Sequence, residues 1–128
     1  MKVCILGKSL TGLTLAKALV NENIYVDIFV SKKNNAPDQS RTIGISKSNL
    51  DFINSKIINV NKIAWNIKKI EIFTDNMKKE KLLQFANNKS EMFSVVKNYK
   101  LFNLLQNSLI NNKYFKKKIF KNNFNFIK

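Results

Sequence analysis

The sequence predicts an α/β protein built on a Rossmann-like βαβ unit, in which parallel strands are followed by a short antiparallel β-meander and the fold is incomplete. Three observations support this prediction. Residues 2–6 form an apolar run that ends at a glycine, residues 10–22 carry apolar side chains at helical spacing, and residues 25–30 are β-branched and aromatic. Short turns between these segments favour a parallel strand pair joined by a helical crossover.

The residues after this unit predict a loop, a short extended stretch and a helix. Residues 31–40 are polar and contain Pro37, the only proline, which is typical of a loop. Residues 42–45 are extended, and Ser46 is a candidate N-cap for a helix over about 47–55. Three side chains of this helix are expected to face inward, namely Leu50, Phe52 and Ile53.

The second half of the chain predicts a β-hairpin, a second long helix and closing strands. Alternating apolar residues and a central turn indicate the hairpin, and leucines on one face indicate the helix. The predicted elements are a connecting segment over 57–64, a strand over 67–74, a turn at Asp75 and Asn76, strands over 81–85 and 93–96, a helix over 98–109 with Leu101, Leu104, Leu105 and Leu109 on one face, and strands over 114–120 and 124–127.

The single cysteine and the absence of histidine narrow the possible chemistry. Cys4 lies inside the first apolar run, so we expect a buried small hydrophobic residue rather than a nucleophile. No histidine is present to activate a thiol or to complete a zinc site, and the sequence therefore predicts no metal centre.

The net charge of +15 raises the question of nucleic-acid binding, because clustered lysines attract phosphate. The chain has 22 Lys but only one Arg, Arg41, whereas base-reading proteins usually rely on arginine for bidentate contacts. The 20 Asn and 15 Ile follow the bias of an AT-rich genome, and the lysines are spread along the chain with one cluster over 113–121. These observations argue against a nucleic-acid partner.

The turn after the first strand has the pattern of a phosphate-binding loop. Residues 7–12 read GKSLTG, which matches G-x-G-x-x-G at Gly7 and Gly12 and places Ser9 at the second glycine. The first glycine permits a sharp turn, the second allows close approach of a pyrophosphate, and the third allows the helix to pack on the strand. The helix N-terminus supplies N–H groups and a positive dipole end to an anion. The alternative is a turn kept only for packing.

The second expected mark of a dinucleotide site is absent. An acidic residue normally follows the second strand and binds a ribose hydroxyl. Val30 and Ser31 occupy this place, while Asp27 lies too early in the strand and points elsewhere. Ser9 and the missing acid both weaken the dinucleotide prediction.

Several motifs follow the βαβ unit in order. Residues 40–46 read SRTIGIS, and a helix over 50–53 comes next. A Trp-containing segment over 63–66, an Ile-rich strand over 67–72 and a Val-Val-x-Asn-x-x-Leu helix start over 95–101 follow. This order resembles that of the flavin-dependent aromatic hydroxylases, a group that includes p-hydroxybenzoate hydroxylase, and most closely their ubiquinone-biosynthesis branch, whose Arg-x-x-Ala-Leu-Ser stretch residues 40–46 resemble. The resemblance covers residues from Met1 to about Asn112.

This resemblance implies a cofactor and a set of binding residues. FAD would bind through its ADP moiety at Gly7, Ser9, Leu10, Thr11 and Gly12, with Arg41 near the flavin phosphates, and NAD(P)H would reduce the complete enzyme. Residues 1–128 would form one truncated N-terminal portion of the FAD/NAD(P)-binding domain, about a third of such an enzyme. The chain has Val30 in place of the ribose-binding glutamate and Tyr99 in place of a later arginine, and we assign no catalytic residue.

Three functions compete at this point. The first is the N-terminal part of an FAD-dependent monooxygenase, inactive alone, whose missing portion or a partner chain would complete the site. The second is a non-catalytic nucleotide-binding or interaction module, and the third is a basic nucleic-acid-binding protein. We see neither a secretory leader nor a run of roughly 18 apolar residues, as a membrane helix would need. The sequence therefore predicts a cytoplasmic protein. Peripheral association with the inner membrane, as part of a quinone pathway, stays open.

Overall fold

A computed structural model describes residues 1–31, 38–75, 80–86 and 92–119. The chain forms a βαβ unit, then a strand with a helix, four consecutive strands, a long helix and a last strand. In chain order the elements are β1 (Lys2–Leu6), α1 (Leu10–Asn21), β2 (Tyr25–Val30), β3 (Thr42–Ser46), α2 (Lys47–Phe52) with a π-helical continuation (Ile53–Ile57), β4 (Ala64–Ile67), β5 (Lys69–Phe73), β6 (Lys81–Ala86), β7 (Phe93–Lys97), α3 (Asn98–Ile110) and β8 (Phe115–Ile119).

The predicted βαβ unit is confirmed. Strands β1, β2 and β8 form a parallel sheet in the order β1-β2-β8, with Lys2 opposite Tyr25 and Val26 opposite Phe115. Because the strands are parallel, their carboxyl ends meet at one edge, and the turn from β1 to α1 lies there.

The predicted antiparallel part is also confirmed, but it forms two sheets. Strands β3, β7 and β4 pair antiparallel in that order, and β5 pairs only with β6 in the described ranges. The strand predicted over 67–74 is β5, whereas its first residue, Ile67, ends β4, a strand that the sequence did not predict. The division follows from pairing, since Ile67 is opposite Phe93 at the start of β7, and the chain then turns to a new partner, β6. Asn76 and the predicted strand over 124–127 lie outside the described residues.

One hydrophobic core lies between the two long helices and the two three-stranded sheets. α1 contributes Leu13, Ala16 and Val20, and α3 contributes leucines spaced by four residues, each at most 5% exposed. The predicted inward face of the second helix is confirmed for Leu101, Leu105 and Leu109, and Leu104 is partly buried.

Two predicted core positions are wrong. Cys4 is exposed because it alternates with buried Ile5 in β1, and in the described residues no helix covers the opposite face of that sheet. Phe52 is 57% exposed because it lies two residues after buried Leu50, which places it on the far side of the helix. The predicted N-cap is confirmed, since the hydroxyl of Ser46 accepts a hydrogen bond from the Asn49 N–H.

Asp27 is the one buried carboxylate among the described residues, and it is paired with lysines of the neighbouring strands β8 and β1. Its Oδ2 accepts a hydrogen bond from Lys118 Nζ at 2.6 Å and lies 3.5 Å from Lys2 Nζ. The Lys118 hydrogen bond, helped by the charges of Lys118 and Lys2, holds the pKa of Asp27 below its ordinary value. The contact therefore joins β8 to β2 through a charge pair as well as through the strand hydrogen bonds.

We expect this pair to make the fold sensitive to acid. Since the pKa of Asp27 is lower in the folded chain than in the unfolded chain, its stabilisation is present above the ordinary carboxyl pKa and is lost as pH falls through the lowered value. Thermal unfolding between about pH 5 and pH 2 should show a smaller loss of stability for Asp27→Asn than for the unchanged chain. Asp51→Asn, which removes an exposed carboxylate, is the control and should keep the full loss. Equal acid sensitivity of both variants would contradict the role of Asp27.

Candidate nucleotide-binding site

The turn that leads from β1 into α1 requires glycine at its first position. Gly7 has φ of 92°, a conformation that residues with a Cβ rarely adopt, and its N–H donates to the Phe29 carbonyl at 2.8 Å. The turn is thereby fixed to the carboxyl end of β2. The sequence predicted this role for the first glycine of the motif.

Gly12 brings the first turn of α1 close to β1. A Cβ at this position would lie 3.2 Å from the Gly7 carbonyl oxygen and 3.4 Å from Ile5 Cγ2. Both contacts are tighter than most packed side chains show, and neither the backbone oxygen nor the buried Ile5 can move freely. Gly12 thus serves close helix–strand packing, as the pattern predicted for the third glycine.

Ser9, which stands at the second glycine, is the N-cap of α1. Its hydroxyl accepts the Gly12 N–H at 3.1 Å, and its carbonyl accepts the Leu13 N–H at 3.0 Å. These two bonds use donors that begin the helix. Leu10 and Thr11 are the first two residues of the helix. Their N–H groups have no acceptor among the described residues and are therefore free to bind an anion.

Arg41 is brought to this turn by pairing between strands that are distant in sequence. Thr42 is opposite Lys97 at the end of the β3–β7 ladder, and the Asn98 N–H donates to the Arg41 carbonyl at 2.9 Å. Arg41 therefore lies beside the N-terminus of α3. Since α1 and α3 pack together, the positive ends of two helix dipoles lie near one another here.

A cavity of about 230 Å³ lies between these two helix N-termini. Its volume is below the roughly 300–1,000 Å³ of whole ligand sites, so it suits one part of a larger ligand, such as a pyrophosphate. The residues that line it are Lys8, Ser9, Leu10, Asp38, Arg41, Asn98 and Phe102.

The predicted site residues divide into three groups. Ser9, Leu10 and Arg41 line the cavity, while Gly7 and Gly12 shape the turn behind it. Thr11 faces a neighbouring apolar groove of about 560 Å³, which also shares Leu10 and is formed by α1, β3 and the helix after β3.

Sequence reasoning missed four residues of the cavity. Lys8 occupies a variable position of the glycine motif, and Asn98 belongs to the Val-Val-x-Asn start of α3. Both lie inside motifs that the sequence analysis identified and could have been found from them. Asp38 lies in the loop before β3, and Phe102 was one more apolar residue of α3, so neither was indicated by pattern.

Besides the cations Lys8 and Arg41, two further polar side chains line the cavity, Asp38 and Asn98. Asp38 Oδ1 accepts hydrogen bonds from Ser40 N at 2.8 Å and Ser40 Oγ at 2.7 Å. These bonds, together with the charge of Arg41, hold the pKa of the Asp38 carboxyl below its ordinary value. Asn98 Oδ1 is buried with no hydrogen-bond partner among the described residues, which is a costly state that a ligand donor would relieve.

The cavity combines groups that can bind an anion. Two cations, Lys8 and Arg41, line it together with the start of α1, with the Asp38 carboxylate and with Asn98. No group of three or more His, Cys, Asp or Glu side chains in the described ranges could hold a metal ion. None of the helices in those ranges combines the length and the apolar character needed to cross a bilayer.

This fold, with its glycine turn and neighbouring antiparallel sheet, matches part of the fold of FAD-dependent monooxygenases. PqsL, a probable FAD-dependent monooxygenase from Pseudomonas aeruginosa, superposes with a TM-score of 0.72 at 14% identity over 93% of this chain and 32% of its own. HpxO of Klebsiella pneumoniae, solved with FAD and uric acid, gives 0.67 at 15% identity over 91% of this chain and 30% of its own.

A third solved structure shows the same relation. The 2,6-dihydroxypyridine-3-hydroxylase of Arthrobacter nicotinovorans gives a TM-score of 0.64 at 14% identity, over 91% of this chain and 28% of its own. The chain thus spans about a third of the length of these structures. No protein-family model matches the chain, and no curated protein matches it in sequence. The predicted α/β fold of the FAD-binding type is confirmed.

Proposed function

We propose that this chain is the nucleotide-binding N-terminal part of an FAD-dependent monooxygenase and that its cavity holds the pyrophosphate of the FAD ADP moiety. The observation that carries the proposal is the convergence of Ser9, Leu10 and Arg41 on one cavity between two helix N-termini. An anion there would accept the N–H groups of Leu10 and Thr11 and the planar guanidinium fork of Arg41. The unpaired Oδ1 of Asn98 fits a ribose hydroxyl, which can donate to it.

The apolar groove beside this site is our candidate for the place of the flavin ring. It adjoins the cavity at Leu10 and is lined mainly by apolar side chains of α1, β3 and the following helix. A ring system could lie there with its phosphates still at the helix N-terminus. When bound, the flavin would supply the oxygen and hydride chemistry with NAD(P)H as reductant, and this chain would bind and orient it.

The finer assignment rests on sequence resemblance. The motifs from Arg41 to the helix start at Asn98 favour the ubiquinone-ring hydroxylases and therefore an electron-rich aromatic ring as substrate. The chain spans only about a third of its structural neighbours, so the parts that would cover flavin and substrate would come from further polypeptide. We therefore expect no turnover from these 128 residues alone.

Nucleotide titration followed by ¹⁵N NMR tests the proposed site. We expect ADP to shift the amide signals of Leu10, Thr11 and Asn98, with a dissociation constant of about 1 mM or tighter, equivalent to roughly 4 kcal/mol. Adenosine, which lacks the pyrophosphate, is the matched control and should leave the Leu10 and Thr11 signals in place. Shifts confined to the surface lysines, or equal shifts with adenosine, would contradict the proposal.

A second measurement separates the fragment from a complete enzyme. The purified chain should retain little flavin and should not hydroxylate a phenol in the presence of FAD and NAD(P)H. A chain that stays yellow and turns over would overturn the proposal that the site is incomplete.

Exposed apolar surface favours one alternative, a non-catalytic module that binds a partner chain. The β5–β6 hairpin pairs with no other strand in the described ranges and exposes several large apolar side chains, which are Ile72, Phe73, Leu82, Leu83 and Phe85. Two-stranded hairpins are seldom stable without a covering surface. A discrete hetero-oligomer that forms without nucleotide would favour this alternative, whereas the same surface in a longer monooxygenase would be covered by its own chain.

A further inference from the structure

Lys8 is a cation of the cavity that neither the glycine motif nor the family resemblance assigns. It follows Gly7 in the turn, is partly buried, and lines the cavity together with Ser9 and Arg41. Its Nζ lies 5.0 Å from the ring centroid of Phe102 on α3, within the range of a cation–π interaction. The ring therefore holds the ammonium group at the cavity rather than leaving it free in solvent.

The Lys8 ammonium group has no ion-pair partner among the described residues. Asp38 lines the same cavity, yet no carboxylate of the described residues forms an ion pair with Lys8. Burial lowers the pKa of the Lys8 ammonium below its ordinary value, and the positive charge of Lys117 lowers it further. A cation in such surroundings is stabilised by a bound anion.

Because Ser9 stands at the second glycine position of the motif, the turn offers a phosphate one backbone donor fewer, which a nearby cation can replace. In the glycine motif the second glycine leaves the backbone open to the pyrophosphate, whereas Ser9 adds a hydroxyl that occupies the Gly12 N–H. The Gly12 N–H is therefore bonded to the Ser9 hydroxyl and is not available to a phosphate. Lys8, the preceding residue, presents its ammonium group to the same cavity.

We propose that Lys8 binds a phosphate of the nucleotide, held in place by the Phe102 ring, and so replaces the contact that Ser9 removes from the glycine motif. This inference rests on the proposed function, since it assumes that the cavity takes a pyrophosphate. Lys8 and Arg41 then neutralise the ligand from two sides of the helix N-terminus. The assignment makes Lys8 a binding residue and gives it no part in proton transfer.

Titration calorimetry with ADP on the full chain tests the assignment. Lys8→Gln should weaken ADP binding about 10-fold or more, because it removes a charge-assisted hydrogen bond to a phosphate oxygen. Lys62→Gln removes the same charge at an exposed position outside the cavity and should change the affinity less than about 2-fold. Lys8→Arg, which keeps the charge and the contact with the ring, should restore most of the affinity.

Inorganic pyrophosphate is the second probe, and it isolates the phosphate contact. Lys8→Gln should weaken pyrophosphate by a factor similar to that for ADP, and Phe102→Leu should weaken both by about 2- to 5-fold through loss of the cation–π contact. A normal NMR spectrum and unfolding temperature for each variant show that the fold is intact.

The possible failures are distinct. If the unchanged chain binds ADP and Lys8→Gln binds it as well as Lys62→Gln does, the role of Lys8 is overturned while the nucleotide site stands. Loss of ADP affinity without loss of pyrophosphate affinity would also overturn it, because Lys8 would then contact the nucleoside. If the unchanged chain binds neither probe, the proposed function itself fails, and the role of Lys8 with it.

Discussion

Leu105→Ala should lower the free energy of unfolding by about 3 kcal/mol, within the 2–5 kcal/mol typical of a deeply buried leucine. Leu105 is 0% exposed and lies at the centre of α3, which packs against α1, β7 and β8. The substitution removes apolar contacts and leaves a cavity. The surrounding elements α1, β7 and β8 can close this cavity only in part. For a domain of this size, whose total stability is about 5–15 kcal/mol, the loss is large.

Urea unfolding followed by circular dichroism measures this difference. Ile110→Ala, at a 61% exposed position in the last turn of the same helix, is the matched control and should change stability by about 0.5 kcal/mol or less. If Leu105→Ala cost less than about 1 kcal/mol, the packing of α3 described here would be wrong. Because α3 carries Asn98 and Phe102, its loosening should also weaken nucleotide binding.

Arg41→Met should reduce ADP affinity by about 10- to 100-fold, since it removes a guanidinium that can bond two phosphate oxygens at once. Arg41→Lys keeps the charge but loses the planar fork, and we expect an intermediate loss of about 5- to 10-fold. Arg41 is the only arginine in a chain with 22 lysines, which is the sequence observation that singles it out.

The effect of these substitutions should be on binding and not on folding. The Arg41 side chain is exposed, and its link to α3 is the backbone carbonyl, which accepts the Asn98 N–H and is present in every variant. Unfolding free energies should therefore agree within about 0.5 kcal/mol. Unchanged ADP affinity in Arg41→Met, measured by the same calorimetry, would remove Arg41 from the proposed site.

The local elements could be predicted because each depends on residues that are close in the chain. The boundaries of β1, β2 and β3 and the N-cap at Ser46 follow from apolar runs, glycine and a capping hydroxyl, and α3 follows from its leucine spacing. The break at Lys68 could not be predicted, because it depends on which distant strand each half pairs with. The exposed Cys4 has a similar cause, since an apolar run does not reveal whether both faces of its sheet are covered.

The part of the candidate site that was predicted also depends on residues that are close in the chain. Gly7, Ser9 and Gly12 act within one turn, so their spacing alone indicated a turn that could receive phosphate. The family resemblance added Arg41, and pattern alone did not identify Lys8 as a binding residue.

The sequence by itself determined the βαβ unit, the glycine turn and the inward face of α3, because these depend on backbone conformation and periodicity over a few residues. Only the tertiary structure decided that Arg41, Asn98 and Phe102 meet Lys8 at one cavity, and that Asp27 is paired with Lys118. Those juxtapositions arise from the β3–β7 and β2–β8 pairings, whose partners are far apart in the chain. The opening turn is therefore a phosphate-binding candidate by sequence and part of a charged cavity by fold.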